Sequence, residues 1–202
     1  MGFFNINVVM KRIISSLCAV ILAISAIGQN PFLTYEITSA NTVEVHDCAT
    51  SAISVTIPES IVDTNGITYS VTAIGEKAFQ HCTKLEEIII PNSITTIGDN
   101  AFHNCNKLSS ITFSNTLTSI GNNAFLKCST LTSVIIPSSV TSISSQAFKD
   151  CSSLNSVTLP ESATIAINAF DNAGKRDTIN GVVYSGNDTL NVSNYKFTNT
   201  GF

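Results

Sequence analysis

Hydrophobic residues recur along this chain at a fixed step of 23 residues, which is the strongest regularity of its sequence. The step is shared by cysteines, by alanine-phenylalanine pairs and by leucines. The members are Cys82, Cys105, Cys128 and Cys151; Ala78-Phe79, Ala101-Phe102, Ala124-Phe125 and Ala147-Phe148; and Leu85, Leu108, Leu131 and Leu154. A period of this length is typical of a solenoid, in which each coil buries its apolar positions against the next coil.

Each period ends in a pattern that predicts a short β-strand. In Leu85-x-x-Ile88-x-Ile90 the last two apolar residues are two apart, as the inward-facing residues of a strand are. Proline follows the strand at 91, 137 and 160 and ends its ladder. We therefore predict a right-handed, parallel, β-rich coil of about four to five repeats with an N-terminal β cap. A short parallel sheet is expected on one face, with turns or short helical or 3-10 segments on the other. Glycine at 75, 98 and 121 is expected to permit a tight turn before the Ala-Phe pair.

The regular array predicts four repeats at 70–161, with a less regular segment on each side. A degenerate fifth unit begins near Ser162, reaches Ala169-Phe170 one residue early and has Ala173 near the place of the cysteine. Together with a hairpin-like segment at 180–190, this unit makes up residues 162–202. Residues 29–69 lack the period but contain strand-like runs, which predicts an amino-terminal cap that shields the first coil from water.

The amino-terminal segment has the organisation of a signal peptide. Lys11-Arg12 precede an apolar run at 13–27, which is shorter than the roughly 20 residues that a membrane-spanning helix needs. Small residues at Ala26 and Gly28 predict cleavage after Gly28, so that residues 1–28 are removed, and Met10 is an alternative start. We expect a secreted or cell-surface protein with no membrane span after cleavage; a retained anchor is the alternative.

The repeat unit resembles the BspA-type leucine-rich repeat, a class of bacterial and protist surface proteins with a 23-residue period. The unit reads S/T-hydrophobic-T-x-I-G-x-x-A-F-x-x-C-x-x-L-x-x-I-x-hydrophobic-P/S-x and matches best at 70–161. The resemblance implies a leucine-rich-repeat solenoid whose strands line the binding face. It also implies adhesion to host proteins or to other cells, without naming a ligand.

Composition argues against nucleic acid as a partner. Charged residues make up 12% of the chain, the formal net charge is −4, and no basic stretch is present that would neutralise phosphates. Hydrophobic residues make up 44% of the chain, which is enough to fill a continuous core. The resemblance and the signal-peptide pattern together imply an extracellular protein as the partner, and no cofactor is predicted.

Residue types that support catalysis or bind metals form no recognisable site in the sequence. Cysteines that occur once per coil form a line rather than the paired ligands of a zinc site, so we predict no metal site and interpret them as buried, reduced thiols. Cys48 stands apart from this column and is either free or paired with Cys82. His46, His81 and His103 share no register, and Cys82 with His103 is the pair to consider if activity appeared. A hydrolase is the least favoured hypothesis.

The outward positions of the predicted strands form three columns across the coils. The columns are Glu86, Ser109, Thr132 and Asn155; Glu87, Ser110, Ser133 and Ser156; and Ile89, Thr112, Ile135 and Thr158. Ile89 and Ile135 are apolar and yet predicted to face solvent, which indicates a protein-binding stripe; the alternative is that β-branched residues simply suit strands. We therefore predict a binding scaffold without catalytic residues. A structural spacer, or a fragment of a longer surface protein, is the alternative function.

Overall fold

The computed structural model describes residues 30–160, 162–166 and 168–174 in full, and the backbone alone at 21–22, 177–179, 182–184, 191–192 and 195–196. These described residues form strands and turns and contain no helix. No segment among them is a long apolar helix of the kind that spans a bilayer. The amino-terminal strands are β1 (Ile21–Leu22), β2 (Leu33–Ile37), β3 (Thr42–Cys48), β4 (Ser54–Thr56), β5 (Ser60–Val62) and β6 (Thr68–Ile74).

The repeats contribute strands that alternate in length between three residues and two. They are β7 (Glu87–Ile89), β8 (Thr96–Ile97), β9 (Ser110–Thr112), β10 (Ser119–Ile120), β11 (Ser133–Ile135), β12 (Ser142–Ile143), β13 (Ser156–Thr158) and β14 (Thr164–Ile165). The last strands are β15 (Asp177–Ile179), β16 (Val182–Tyr184), β17 (Asn191–Val192) and β18 (Tyr195–Lys196). β15 pairs with β16, and β17 with β18, in antiparallel fashion.

Each coil supplies a strand to two different sheets. The three-residue strands form the parallel sheets β4-β7-β9 and β11-β13, and we call their outward side the strand face. The two-residue strands continue the cap as a second parallel sheet, in the order β6-β8-β10-β12-β14. The predicted solenoid of parallel strands is confirmed. The second sheet was not among the predicted elements, because the far side of the coil was expected to hold only turns or short helical segments.

Stacked aromatic rings fill the centre of the coils. Phe79, Phe102, Phe125, Phe148 and Phe170 lie one above the other, with centroids 4.8–5.0 Å apart and ring planes within 13° of parallel. The first four rings are fully buried. This stacking explains why the Ala-Phe pair recurs every 23 residues. Each ring must lie flat on the ring of the next coil, and a small residue before it leaves the space that this requires.

The cysteine column has a hydrogen-bonding role as well as a packing role. Each thiol of Cys105, Cys128 and Cys151 donates to the phenylalanine carbonyl oxygen of the coil before, at sulfur-to-oxygen distances of 3.0, 3.2 and 3.1 Å. All three side chains are fully buried. A cysteine suits this position because it is small, apolar and a weak donor.

The turns are built by residues with positive φ rather than by glycine. Each regular coil has a left-handed residue immediately before its alanine and another immediately before its cysteine. They are Lys77, Asn100, Asn123 and Gln146, and His81, Asn104, Lys127 and Asp150, with φ between 54° and 65°. The predicted tight turn is present, since the nitrogens of Ala78, Ala101 and Ala124 donate to the carbonyls of Gly75, Gly98 and Gly121 at 3.3–3.4 Å, but none of these glycines has positive φ. Glycine is needed for close approach instead: a Cβ on Gly98 would lie 2.8 Å from the Glu76 nitrogen of the preceding coil.

The amino-terminal cap joins the second sheet. β2 and β3 pair antiparallel, and β3 pairs parallel with β6, which begins the run of repeats. β5 and β6 form a hairpin whose turn is organised by Asp63: its carboxylate accepts hydrogen bonds from the backbone of Asn65 at 2.9 Å and Ile67 at 2.8 Å, and Gly66 has a φ of 80°. These bonds lower the pKa of Asp63, with the Ile67 bond the largest cause.

Most of the predicted signal peptide lies outside the described residues. From that segment only the backbone of β1 is described, and it pairs antiparallel with β2. The degenerate fifth unit is described as far as Gly174 and packs as a coil, because Ala169 is fully buried and Phe170 stacks on Phe148. The hairpin-like segment predicted at 180–190 lies largely outside the described residues, apart from the backbone of β16.

Candidate interaction surface

All twelve residues predicted for the strand face are exposed in the structure. Parallel pairing places the members of a column side by side: Glu87 lies opposite Ser110, and Ser133 opposite Ser156. Glu86 and Glu87 are both exposed, since the strand begins only at Glu87. Glu86 and Glu87 lie on the coil next to the cap. At the equivalent positions every later coil has neutral Ser, Thr or Asn.

The third column carries the apolar character of the face. Ile89 is 48% exposed and Ile135 is 71% exposed, whereas most large hydrophobic side chains of the described chain are buried. Thr112 lies on the strand between them and is paired with Ile89. The two isoleucines occupy the same position two coils apart, so a partner segment that runs across the coils would contact both.

The strand face extends one coil further into the cap than the sequence predicted. Strand β4 pairs in parallel with β7, so that Ser54 lies opposite Glu87 and Thr56 opposite Ile89. Ile53, whose carbonyl accepts a hydrogen bond from the Glu86 backbone nitrogen at 2.8 Å, is 57% exposed and continues the first column. The third column therefore alternates Thr and Ile over five coils; its members are Thr56, Ile89, Thr112, Ile135 and Thr158.

A sequence signal for this extra coil exists in the cap. Residues 52–58 read Ala-x-x-Val-x-Ile-Pro, which has the spacing of Leu-x-x-Ile-x-Ile-Pro at 85–91. The fixed step does not reveal it, because Leu85 follows Ala52 by 33 residues instead of 23. The intervening segment contains the β5-β6 hairpin, which lengthens this coil.

The chain matches a known repeat family over more than half of its length. Residues 58–177 match the family described as BspA type Leucine rich repeat region, in six copies. The chain belongs to this family. The match confirms the resemblance seen in the sequence and extends on both sides of the four most regular repeats.

Solved structures of other leucine-rich repeat proteins share this fold. The T. pallidum leucine-rich repeat protein TpLRR is 28% identical, with a TM-score of 0.66 over 73% of this chain and 68% of that one. A leucine-rich repeat protein from Bacteroides capillosus is 33% identical, with a TM-score of 0.58 over 64% of this chain and 94% of that one. A leucine-rich cell surface protein from Faecalibacterium prausnitzii is 25% identical, with a TM-score of 0.57 over 82% of this chain and 55% of that one. Among curated proteins, none matches the chain.

The strand face of this BspA-type chain is formed by two separate sheets. The ladder β4-β7-β9 and the ladder β11-β13 are separate, so hydrogen-bonded strand pairing is interrupted between β9 and β11. The coil at the interruption carries Phe113 where the others carry a smaller aliphatic residue, and its ring packs edge-on against Phe125 at 5.7 Å. Ser114 replaces the usual proline and donates to the Ile94 carbonyl at 2.6 Å.

The cysteines and histidines of this BspA-type chain do not form the Cys82–His103 pair considered from the sequence. The Cys82 thiol is buried and donates to the Cys48 carbonyl oxygen at 3.6 Å. His103 lies in the turn between Phe102 and Cys105. Its Nδ1 is 3.1 Å from the Gln80 amide nitrogen, and its ring centroid is 5.4 Å from that of His81. Burial lowers the pKa of His103.

Burial also makes the thiols of Cys105, Cys128 and Cys151 in this BspA-type chain poor nucleophiles. Cys48, Cys82, Cys105, Cys128 and Cys151 are all free and buried, so Cys48 and Cys82 are not bonded to each other in this structure. Burial raises the pKa of Cys151 to about 12 and that of Cys128 well above its ordinary value. A thiol that stays protonated at neutral pH neither attacks an electrophile nor binds a metal readily.

Proposed function

We propose that this protein is an exported protein-interaction module that binds an extracellular protein through its strand face. Membership of the BspA-type family supports a role in protein interaction. Export is supported by the signal-peptide pattern of residues 10–28 and by a similar F. prausnitzii protein that is described as a cell surface protein. In this proposal the chain is secreted or displayed on the cell surface and acts in adhesion.

The observation that carries the proposal is the exposed stripe of Thr and Ile on the strand face. Exposed apolar side chains in a row are unfavourable unless a partner covers them, and the flanking Ser and Thr hydroxyls can hydrogen-bond that partner. Few charges lie on the face, so recognition depends on shape and on short hydrogen bonds. Such contacts are individually weak, and display of many copies on a surface would raise the overall affinity by avidity.

We propose binding rather than catalysis because the exposed face presents hydroxyls and aliphatic groups without a hydrogen-bonded base. Ser110, Ser133 and Ser156 lie in one column with Glu87, which is the strand partner of Ser110, but no hydrogen bond joins the described side chains of Glu87 and Ser110. A serine nucleophile needs a positioned base within hydrogen-bond reach. The acids at Glu86 and Glu87 lie at the cap end of the face, ahead of these serines.

The test adds charge to the stripe without touching the core. The double variant Ile89→Lys/Ile135→Lys and the wild type are compared for binding to immobilised extracellular-matrix and cell-surface proteins by surface plasmon resonance. Burying the exposed parts of both isoleucines contributes about 2–4 kcal/mol, so we expect the double variant to lose about 30- to 700-fold in affinity.

The matched control places the same charges on the opposite sheet. Thr95→Lys/Thr141→Lys changes two exposed residues that immediately precede strands β8 and β12 of the second sheet, and it should bind like the wild type. Equal loss in both double variants would mean that added charge alone disrupts binding, and unchanged binding of the Ile variant would exclude the stripe. A folded wild type that binds no protein of the panel would favour a structural spacer instead.

A further inference from the structure

The cap contains a cluster of metal-ligating side chains that no other feature of the protein explains. Glu36 on β2 and Glu44 on β3 are direct cross-strand partners, so their side chains leave the same side of the hairpin. His46 follows two residues after Glu44 on β3. The core residues Val43 and Val45 alternate with them and point inward, so Glu44 and His46 share the outer side.

A β-bulge brings His46 towards β2. The register changes so that Tyr35 pairs with Val45 while Thr34 pairs with Asp47, which leaves His46 without a direct partner on the neighbouring strand. Bulges re-aim side chains in this way and are common beside functional sites. The His46 Nδ1 atom lies 2.9 Å from Oε2 of Glu36 as a result.

The three side chains offer ligand atoms that converge. One atom each from Glu36, Glu44 and His46 lies within 4.8 Å of the other two, and all three residues are partly buried. Gly75, at the end of β6, leaves the space that the Glu44 carboxylate occupies, because a Cβ there would lie 2.6 Å from its Oε1. The carboxylate is thus held over the sheet rather than extended into solvent.

The two carboxylates of the cluster repel each other. Like charges directly opposite each other destabilise a strand pair, and Glu36 and Glu44 are such a pair. A divalent ion bound between them would neutralise both carboxylates.

We propose that Glu36, Glu44 and His46 bind a divalent transition-metal ion of the zinc class, which links β2 to β3 in the cap. Zinc binds carboxylate oxygen and imidazole nitrogen at about 2.0–2.2 Å and leaves a fourth position for water when the protein supplies three ligands. Tetrahedral ligands are then about 3.4 Å apart, which small side-chain rotations achieve from the present distances. Imidazole selects zinc, copper or nickel over calcium and magnesium, which prefer oxygen ligands alone.

The ion would stabilise the cap because its ligands lie on two strands and converge only in the folded chain. Binding to the folded state alone raises stability with ion concentration. This role concerns the end of the solenoid and is independent of the strand face. The site and the proposed protein-binding function can therefore fail or succeed separately.

The test titrates the full chain with zinc chloride, and in parallel with calcium chloride, by isothermal titration calorimetry. We expect one zinc ion per chain, weaker or absent calcium binding, and a loss in zinc affinity of about 10- to 100-fold or more in His46→Gln and Glu44→Gln. The matched controls are His103→Gln, which removes another histidine, and Glu59→Gln, which removes an exposed acid of the cap. Both controls should bind zinc like the wild type.

Thermal melting supplies a second readout that separates lost binding from lost folding. Zinc should raise the midpoint of the wild type and not that of His46→Gln. Without zinc, Glu44→Gln should melt no lower than the wild type, because the charge it removes is unfavourable. Zinc binding that survives His46→Gln, or calcium binding equal to zinc binding, would overturn the proposal and leave only an acidic patch. Loss of zinc binding in His103→Gln would instead place the ion beside His103 and His81.

Discussion

Replacing Phe125 by alanine tests whether the aromatic column holds the coils together. Phe125 is fully buried and stacks on Phe102 at 4.9 Å and on Phe148 at 5.0 Å, and Phe113 packs against its edge. A buried Phe→Ala change costs about 3–5 kcal/mol, because the lost contacts leave a cavity. With three aromatic neighbours, each of which adds about 0.5–1.5 kcal/mol, we expect a cost near the upper end, about 4–5 kcal/mol.

The matched control is Phe170→Ala at the end of the same column. Phe170 is half-buried and has Phe148 as its stacking partner at 5.0 Å, so its removal should cost about 1–2 kcal/mol. The expected difference of about 3 kcal/mol corresponds to about 1–3 M in the urea midpoint at ordinary denaturant slopes. Urea unfolding followed by far-ultraviolet circular dichroism measures both midpoints.

Phe125→Leu keeps this prediction testable if the alanine variant does not fold. A loss of 4–5 kcal/mol approaches the whole stability of a domain, which is about 5–15 kcal/mol, whereas leucine preserves part of the volume. The order of stability should be wild type, Phe170→Ala, Phe125→Leu and Phe125→Ala. Equal costs at the two ends of the column would refute the reasoning, since position in the stack would then not matter.

Two further predictions concern thiols and pH. In the chain from Gln29 onward, which lacks Cys18, iodoacetamide should label none of Cys48, Cys82, Cys105, Cys128 and Cys151 in the native protein at pH 8, because burial protects them. It should label all five after unfolding without reductant; labelling of only three would reveal a Cys48–Cys82 disulfide. Asp63 has a lowered pKa, so its carboxylate stabilises the folded chain fully above its ordinary value of 3.8 and progressively less as pH falls through the lower folded value. The difference in urea midpoint between wild type and Asp63→Asn should therefore be constant from neutral pH to about pH 4 and shrink below it; a difference that grows on acidification would contradict the sign.

The repeated positions of the fold could be predicted because one rule governs every coil. Leu85, Ile88 and Ile90 point inward in one coil, and the same positions point inward in the others, so a single period located the strands and their outward residues. The second sheet escaped prediction for a physical reason. Its strands, such as Thr96–Ile97, are two residues long, and two residues are too few for an alternating pattern to be recognised.

Contacts that depend on register between strands could not be predicted. Nothing in the spacing of Glu36, Glu44 and His46 states that β2 and β3 pair with Glu36 opposite Glu44, or that a bulge precedes His46. A shift of one residue would send the side chains to the other side of the hairpin. The same limit hid the pairing of β4 with β7, because the β5-β6 hairpin lengthens the step between Ala52 and Leu85 without changing the local pattern.

The regular geometry of the coils and the variety of residues on the strand face have the same physical cause. The backbone ladders, the phenylalanine column and the thiol-to-carbonyl bonds all lie between coils, and none of them uses the side chains at 86, 87 or 89 and their equivalents. Apart from the Ser109 hydroxyl, which donates to the Glu86 carbonyl at 3.2 Å, these described side chains make no hydrogen bond between coils, so the fold places little restraint on them. When Ile89 and Ile135 nevertheless present apolar groups there, the fold does not require them. In the proposed function, a partner that covers Ile89 and Ile135 is the physical reason for their presence. The stripe, rather than the more regular polar columns, is therefore the part of the face to mutate first.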